Sequence, residues 1–238
     1  MVDTVALITG SGSGIGKAIA LALADAVDVF VLVGRDLDKL QKVRAQLRER
    51  QCTVHTMRVD LSSAQDLLGL QTWINEQLNR LDILVHSAGG IRSGAVGEST
   101  IADLDWHYAV NLRAPFLLTQ TCLPLLRAVA GQIVFVNSSA GLAAKPQLAG
   151  YCATKSALKA FADSLRAEEN ANGVRVLSVY PGRTATPMQE GLFKQEGRAY
   201  SPALLLQPED VAQTVVSSLK LPRTAEVTDL MVRGMKKV

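Results

Sequence analysis

The sequence predicts an α/β fold, a doubly wound parallel sheet of about seven strands with helices on both faces, folded as a single domain. Three observations predict it. Short β-branched runs alternate with amphipathic stretches along the whole chain. The runs are largely continuous in apolar residues rather than alternating, as strands covered on both faces are. The 238 residues fit one sizeable α/β domain, with no linker, internal repeat or low-complexity segment to divide them. Strand, helix, strand in repetition implies parallel strands joined by right-handed crossovers.

The elements follow in order. Residues 5–9 read as a first strand and 17–26 as the helix behind it; 29–33 and 54–59 are the next strands, each followed by a helix, 37–50 and 62–79. Residues 83–85 form a fourth strand before a long helical stretch, 102–130, interrupted near Pro115 and Pro124. A fifth strand at 133–136, a helix at 151–170 and a sixth strand at 174–180 complete the regular alternation. Residues 182–207 show no clear period and contain Gly191, Gly197 and Pro202. They read either as a mobile flap over a site at the carboxyl ends of the strands or as an ordinary connecting loop. Gln207-Pro208-Glu209-Asp210 opens a helix to residue 219, its two acids suiting the positive N-terminal end, and 227–232 reads as a last edge strand.

Composition narrows the function classes. Apolar residues make up 48% and charged residues 20%, the balance of a folded soluble protein. The net charge of +3 comes without a basic cluster or interleaved aromatics, so nothing calls for nucleic acid or a membrane surface. Cys52, Cys122 and Cys152 are odd in number and dispersed, which argues for reduced thiols; His55, His86 and His107 lack metal-ligand spacing. The start MVDTVALITG carries Asp3 where a signal peptide would carry cations, so the cytoplasm is the expected location.

Residues 10–17, GSGSGIGK, raise the question of a phosphate cradle. A P-loop anchored on Gly16-Lys17 would need glycine at Ser11 and a hydroxyl at Ala18. A G-x-G-x-x-G fingerprint begun at Gly10 lands on Ile15, and begun at Gly12 on Lys17. Both templates fail; what stands is Thr9-Gly10-x-x-x-Gly14-x-Gly16. Joining a strand to a helix, such a loop turns N–H groups and a helix dipole toward a pyrophosphate. Gly10 and Gly14 let the backbone turn and approach, Gly16 lets helix pack on strand, and Ser11 and Ser13 offer hydroxyls. A glycine-rich turn with no ligand is the alternative.

Tyr151-x-x-x-Lys155 projects a phenol and an ammonium from one helix face, one turn apart. A cation beside a phenol favours phenolate and is expected to lower the tyrosine pKa from about 10 toward the working pH, which makes an acid/base device. Asn137-Ser138-Ser139 ends the fifth strand at the same sheet edge, where a hydroxyl can meet a carbonyl oxygen or simply cap a turn. Asn111 reads as the end of a helical stretch, where an amide is often a cap or an anchor for water.

Taken in order and spacing, TGSGSGIG, Asp60, His86-Ser87-Ala88-Gly89, Asn111, Ser138, Tyr151 with Lys155, and Pro181-Gly182 resemble the short-chain dehydrogenase/reductase family over nearly the whole chain. The resemblance implies a Rossmann-type sheet and reversible hydride transfer between a nicotinamide and a carbonyl or alcohol, without a metal. It implies Tyr151 as general acid or base, and Lys155 on the nicotinamide ribose, lowering the Tyr151 pKa. Ser138 would polarise the substrate carbonyl and Asn111 keep a relay water. Ser138, rather than Ser139, has the family's spacing to Gly141 and Tyr151. Asp60 with Leu61 matches the adenine position and Ala88 with Gly89 the cofactor bed. Ile15 in the glycine loop and Thr184 and Thr186 after Pro181-Gly182 complete the cofactor positions, Thr186 bonding the carboxamide. The family commonly has Asn-Asn where this chain has His86-Ser87, so His86 is expected to bond sheet backbone or touch nothing.

The cofactor can be argued physically. A carboxylate ending the second strand would accept from the ribose hydroxyls and repel a 2′-phosphate, whereas arginine pairs with that phosphate. In the family's spacing the acidic position falls on Gly34 and the next residue is Arg35, which favours NADP(H); Asp36 keeps NAD(H) open. The alternatives to a carbonyl reductase are an NAD-dependent alcohol dehydrogenase and a non-catalytic cofactor-sensing protein, which would be expected to lose the tyrosine or lysine kept here. A small-molecule carbonyl or alcohol substrate follows, and a homodimer or homotetramer by resemblance only. Leu142, Pro146, Leu148, Met188, Leu192 and Phe193 offer an apolar lining to the substrate, or pack on the domain.

Overall fold

The computed structural model describes residues 3–236. Seven strands, β1 (Val5–Thr9), β2 (Val29–Gly34), β3 (Thr53–Arg58), β4 (Ile83–His86), β5 (Gln132–Val136), β6 (Arg175–Pro181) and β7 (Asp229–Val232), form one sheet in the order β3-β2-β1-β4-β5-β6-β7. Every neighbouring pair is parallel. All of β1 is buried because both faces of the sheet are covered. Ala6 and Ile8 point toward α1 (Gly14–Ala22), α2 (Leu37–Arg48) and α8 (Pro208–Leu219). Leu7 points the other way, into a core shared with α3 (Ala64–Gln77), α5 (Ala114–Ala128) and α6 (Ala149–Glu169).

The chain runs outward from β1 through β2 to β3, then restarts beside β1 with β4 and runs to the other edge. Order therefore reverses between β1 and β4, which opens a crevice at the carboxyl ends of those strands.

The expected long helix at 102–130 is divided. It consists of α4 (Ile101–Tyr108), a π-helical turn (Ala109–Arg113) and α5. Pro115 sits in the first turn of α5, and having no N–H it returns nothing to the carbonyl of Asn111, four residues earlier. Pro124 lies inside α5 without ending it. A helix that periodicity did not reveal, α7 (Pro187–Gln195), occupies the middle of 182–207. Thr186 caps it by accepting from the N–H of Gln189, and Pro187 takes the first turn, where a missing N–H costs nothing. Among the described residues no helix is long and apolar enough to cross a membrane.

Candidate active site

A cleft of about 310 Å³ opens over the carboxyl ends of β1, β2, β4, β5 and β6. Its floor is the glycine loop, locked to β4 by Thr9, whose Oγ1 accepts from the N–H groups of Ser87 (3.2 Å) and Ala88 (3.1 Å). That lock brings the two backbones so close that a Cβ on Gly10 would lie 2.7 Å from the Ala88 nitrogen. Gly10 and Gly14 also hold φ of 68° and 53°, which side-chain-bearing residues rarely adopt. The loop thus presents bare backbone to the cleft at the start of α1, a surface that fits a pyrophosphate. Ser13 is exposed on the cleft wall, and its hydroxyl makes no capping bond to α1. Ser11 does not face the cleft as expected. It is fully buried, with its N–H (3.3 Å) and hydroxyl (3.4 Å) both directed to the Val33 carbonyl, so it braces the loop against β2.

At the end of β2 the three candidate positions separate by what each side chain is doing. Gly34 has no side chain, and a Cβ there would press within 3.3 Å of Leu40 Cδ2. Asp36 is committed to α2 as its N-cap, accepting from the Lys39 N–H at 3.1 Å and pairing with the Lys39 ammonium at 3.3 Å. Arg35 stands exposed at the cleft rim. Across from it, Asp60 accepts from the N–H (2.9 Å) and hydroxyl (2.7 Å) of Ser62. Burial works to raise the Asp60 pKa, but these bonds and the Arg35 charge together hold it below the usual value. Leu61 and Ile15 supply apolar wall at this end.

The other end carries the polar chemistry. Tyr151 and Lys155 lie one turn apart on α6, both buried in the cleft wall, with Ser138 facing them from the turn after β5. Burial pushes the Tyr151 phenol above its ordinary value, while the neighbouring Ser138 hydroxyl works to lower it. The expectation that Lys155 lowers this pKa is not met: the ammonium lies 5.9 Å from the ring centroid, and burial dominates. Lys155 donates instead to the Val136 carbonyl at 2.9 Å, and burial lowers its own pKa to about 8.

Asn111 sits in the π turn rather than at a helix end, fully buried and off the cleft wall. Its Nδ2 donates to the Gly90 carbonyl (3.0 Å) and Thr154 Oγ1 (3.2 Å), and its Oδ1 accepts from the Gly90 N–H (2.9 Å). The side chain therefore ties the Gly90 loop to α6. His86 neither bonds sheet backbone nor touches nothing. Its Nε2 lies 2.9 Å from Thr119 Oγ1 on α5, and its ring stacks on Phe135 at 4.9 Å. Burial lowers its pKa to about 3, so it is a neutral packing residue between the end of β4 and α5.

Ala88, Gly89, Pro181, Gly182, Thr184 and Thr186 all line the cleft. Of the apolar loop residues, Met188 does so, while Leu192 and Phe193 are buried, Phe193 beneath the guanidinium groups of Arg183 (4.8 Å) and Arg198 (5.0 Å). Leu142 is exposed, and neither Pro146 nor Leu148 reaches the wall. Trp106 and Val110, four residues apart on one helical face, form a part of the wall that the sequence reading missed. Their four-residue spacing within the helical stretch was the one signal the sequence offered.

The model of the family described as short chain dehydrogenase matches residues 4–197. The chain is 33% identical over 237 residues to a sepiapterin reductase from Chlorobaculum tepidum, covering 96% of this chain and 95% of that one. Its structure resembles that of an alcohol dehydrogenase from the archaeon Thermococcus sibiricus solved with 5-hydroxy-NADP, with a TM-score of 0.87 at 27% identity over 99% of this chain and 98% of that chain. It also resembles a short-chain dehydrogenase from Sphingobium yanoikuyae in complex with NADPH, with a TM-score of 0.84 at 26% identity over 95% and 87% of the two chains.

Proposed function

The chain belongs to the short-chain dehydrogenase/reductase family of oxidoreductases, and from that premise we propose that it is an NADP(H)-dependent reductase of small-molecule carbonyl compounds, reversible toward alcohols. The observation that carries the reading is the buried Tyr151 on the cleft wall, with Ser138 on the same wall and Lys155 one helical turn away. The bound cofactor supplies or accepts the hydride. Tyr151, kept a neutral phenol by burial, donates its proton to the substrate oxygen in reduction and takes it back in oxidation. Ser138 donates to the same oxygen and orients it. Lys155, anchored on Val136, would hold the nicotinamide ribose with its remaining N–H groups. The side-chain donors of Asn111 are already engaged, so it would hold the relay water through its backbone carbonyl, which has no α-helical donor at Pro115.

For the cofactor, the bare backbone of Gly10, Gly14 and Gly16 and the hydroxyl of Ser13 suit the pyrophosphate. Asp60 and Leu61 suit adenine, and Thr184 with Thr186 suit the carboxamide end. Ile15, Ala88, Gly89, Pro181 and Gly182 would form the bed between. Arg35 is the 2′-phosphate partner, and the capping role of Asp36 weakens the NAD(H) alternative. Residues 182–207, within a single catalytic domain, would act as the substrate flap, with α7 and Met188 over the reacting end.

The test is a screen of ketones, aldehydes and quinones with NADPH, followed by loss of nicotinamide absorbance. Turnover of at least one class supports the reading. Tight NADPH binding with no turnover on any class would favour a cofactor-sensing protein instead.

A further inference from the structure

Asn137 follows the last residue of β5 and is only 3% exposed. Its Nδ2 donates to the main-chain carbonyl of Lys155 at 3.1 Å, and its own N–H donates to the Val179 carbonyl at 2.8 Å. The preceding residue, Val136, accepts the Lys155 ammonium at 2.9 Å. Consecutive residues of one strand end thus hold Lys155 by its head and by its backbone. The turn that carries Ser138 bears on the same point. A Cβ on Gly141 would lie 2.9 Å from Asn137 Oδ1 and 2.9 Å from the Lys155 carbonyl oxygen, and Ser156 Oγ fastens the turn by donating to the Gly141 carbonyl at 3.1 Å.

We propose that Asn137 is a positioning residue that sets the spacing between Ser138 and the Tyr151–Lys155 pair. The inference rests on the roles proposed above for those three. Asparagine suits the position because the group facing the Lys155 carbonyl must be a donor, whereas an ionised aspartate would set an acceptor against an acceptor. Its Oδ1 is buried with no donor, a cost borne where the amide does work on the other side. Of the titratable groups, Tyr151 lies one turn from Lys155 on α6, its ring centroid 5.9 Å from the ammonium, with Cys152 beside it in sequence and the His107 ring 6.4 Å from it.

The experiment compares Asn137→Ala and Asn137→Asp with wild type by the pH dependence of kcat and KM. Alanine is expected to lower kcat by about 10- to 100-fold with the KM for NADPH nearly unchanged, since misplacement by a fraction of an ångström is costly at a reacting centre. Aspartate is expected to keep much of the wild-type kcat while its buried carboxyl is protonated and can donate to the Lys155 carbonyl. It loses that activity as the carboxyl ionises, adding a limb to the profile that wild type lacks. A readout independent of turnover is the Lys155 amine titration, followed by NMR in protein with labelled lysine; loosening the clamp should move it upward by about one unit. Asn137→Ser, with a shorter donor, carries the same comparison should the alanine variant not fold. Wild-type kcat, pH profile and Lys155 titration in the variants would overturn the proposal. A wild type that reduces no carbonyl compound would sink the proposed function instead, and the NMR comparison would still decide the role of Asn137.

Discussion

The Lys155 ammonium donates to the Val136 carbonyl oxygen at 2.9 Å inside a wall that is 3% exposed at Lys155. A cation held this way costs stability. Its folded-state pKa is about 8 against an ordinary 10.5, so the folded protein binds fewer protons than the unfolded chain between those values. The penalty is complete below about pH 8 and vanishes above 10.5, and it amounts to about 3 kcal/mol. Lys155→Met should therefore stabilise the fold at pH 7 by about 2 kcal/mol, after about 1 kcal/mol is returned for the lost hydrogen bond. It should also abolish turnover. Denaturant unfolding and a rate assay check both, and a destabilised variant would contradict the prediction. In wild type, kcat/KM should fall as pH rises through about 8, where the ammonium is lost.

Arg35→Ala should weaken NADPH binding by about 10- to 100-fold and leave NADH binding nearly unchanged, because a charge-assisted pair to phosphate is worth about 1.5–3 kcal/mol. Titration of the two cofactors by fluorescence measures the ratio. Equal losses for both would remove Arg35 from the 2′-phosphate.

The acid limb of stability should carry His86. Its pKa is lowered from 6.5 to about 3, so its contribution is intact above 6.5 and is lost as pH falls toward about 3, where the buried ring would have to accept a charge. Replacing it with leucine should make the loss of stability between about pH 6 and 4 shallower by about 1.4 kcal/mol per pH unit, the slope of one proton. Equilibrium unfolding at a series of pH values reads the slope, and parallel curves would contradict the assignment.

The sheet was legible because apolar runs such as Val5–Thr9 obey a local rule that burial on both faces imposes. The wall of the site was legible where glycine or a fixed spacing carried it, at Gly10, Gly14 and the Tyr151 to Lys155 turn. What escaped depended on contacts distant in sequence. Whether Asp36 meets a ribose or caps α2 turns on where the helix begins, and the Thr119 hydroxyl that occupies His86 lies 33 residues away. Tyr151 was expected to be acidified because spacing reveals the cation but not the burial that outweighs it. The helix α7 was signalled by Thr186-Pro187, a capping pair that the absence of periodicity overshadowed.

The most direct measurement is NADPH-dependent reduction of a carbonyl substrate by wild type and by Tyr151→Phe, with NADPH affinity measured on both. The account predicts a rate lost by about 10²- to 10⁴-fold with binding nearly intact, because the ring still packs but its proton is gone. A variant that turns over at the wild-type rate would contradict it.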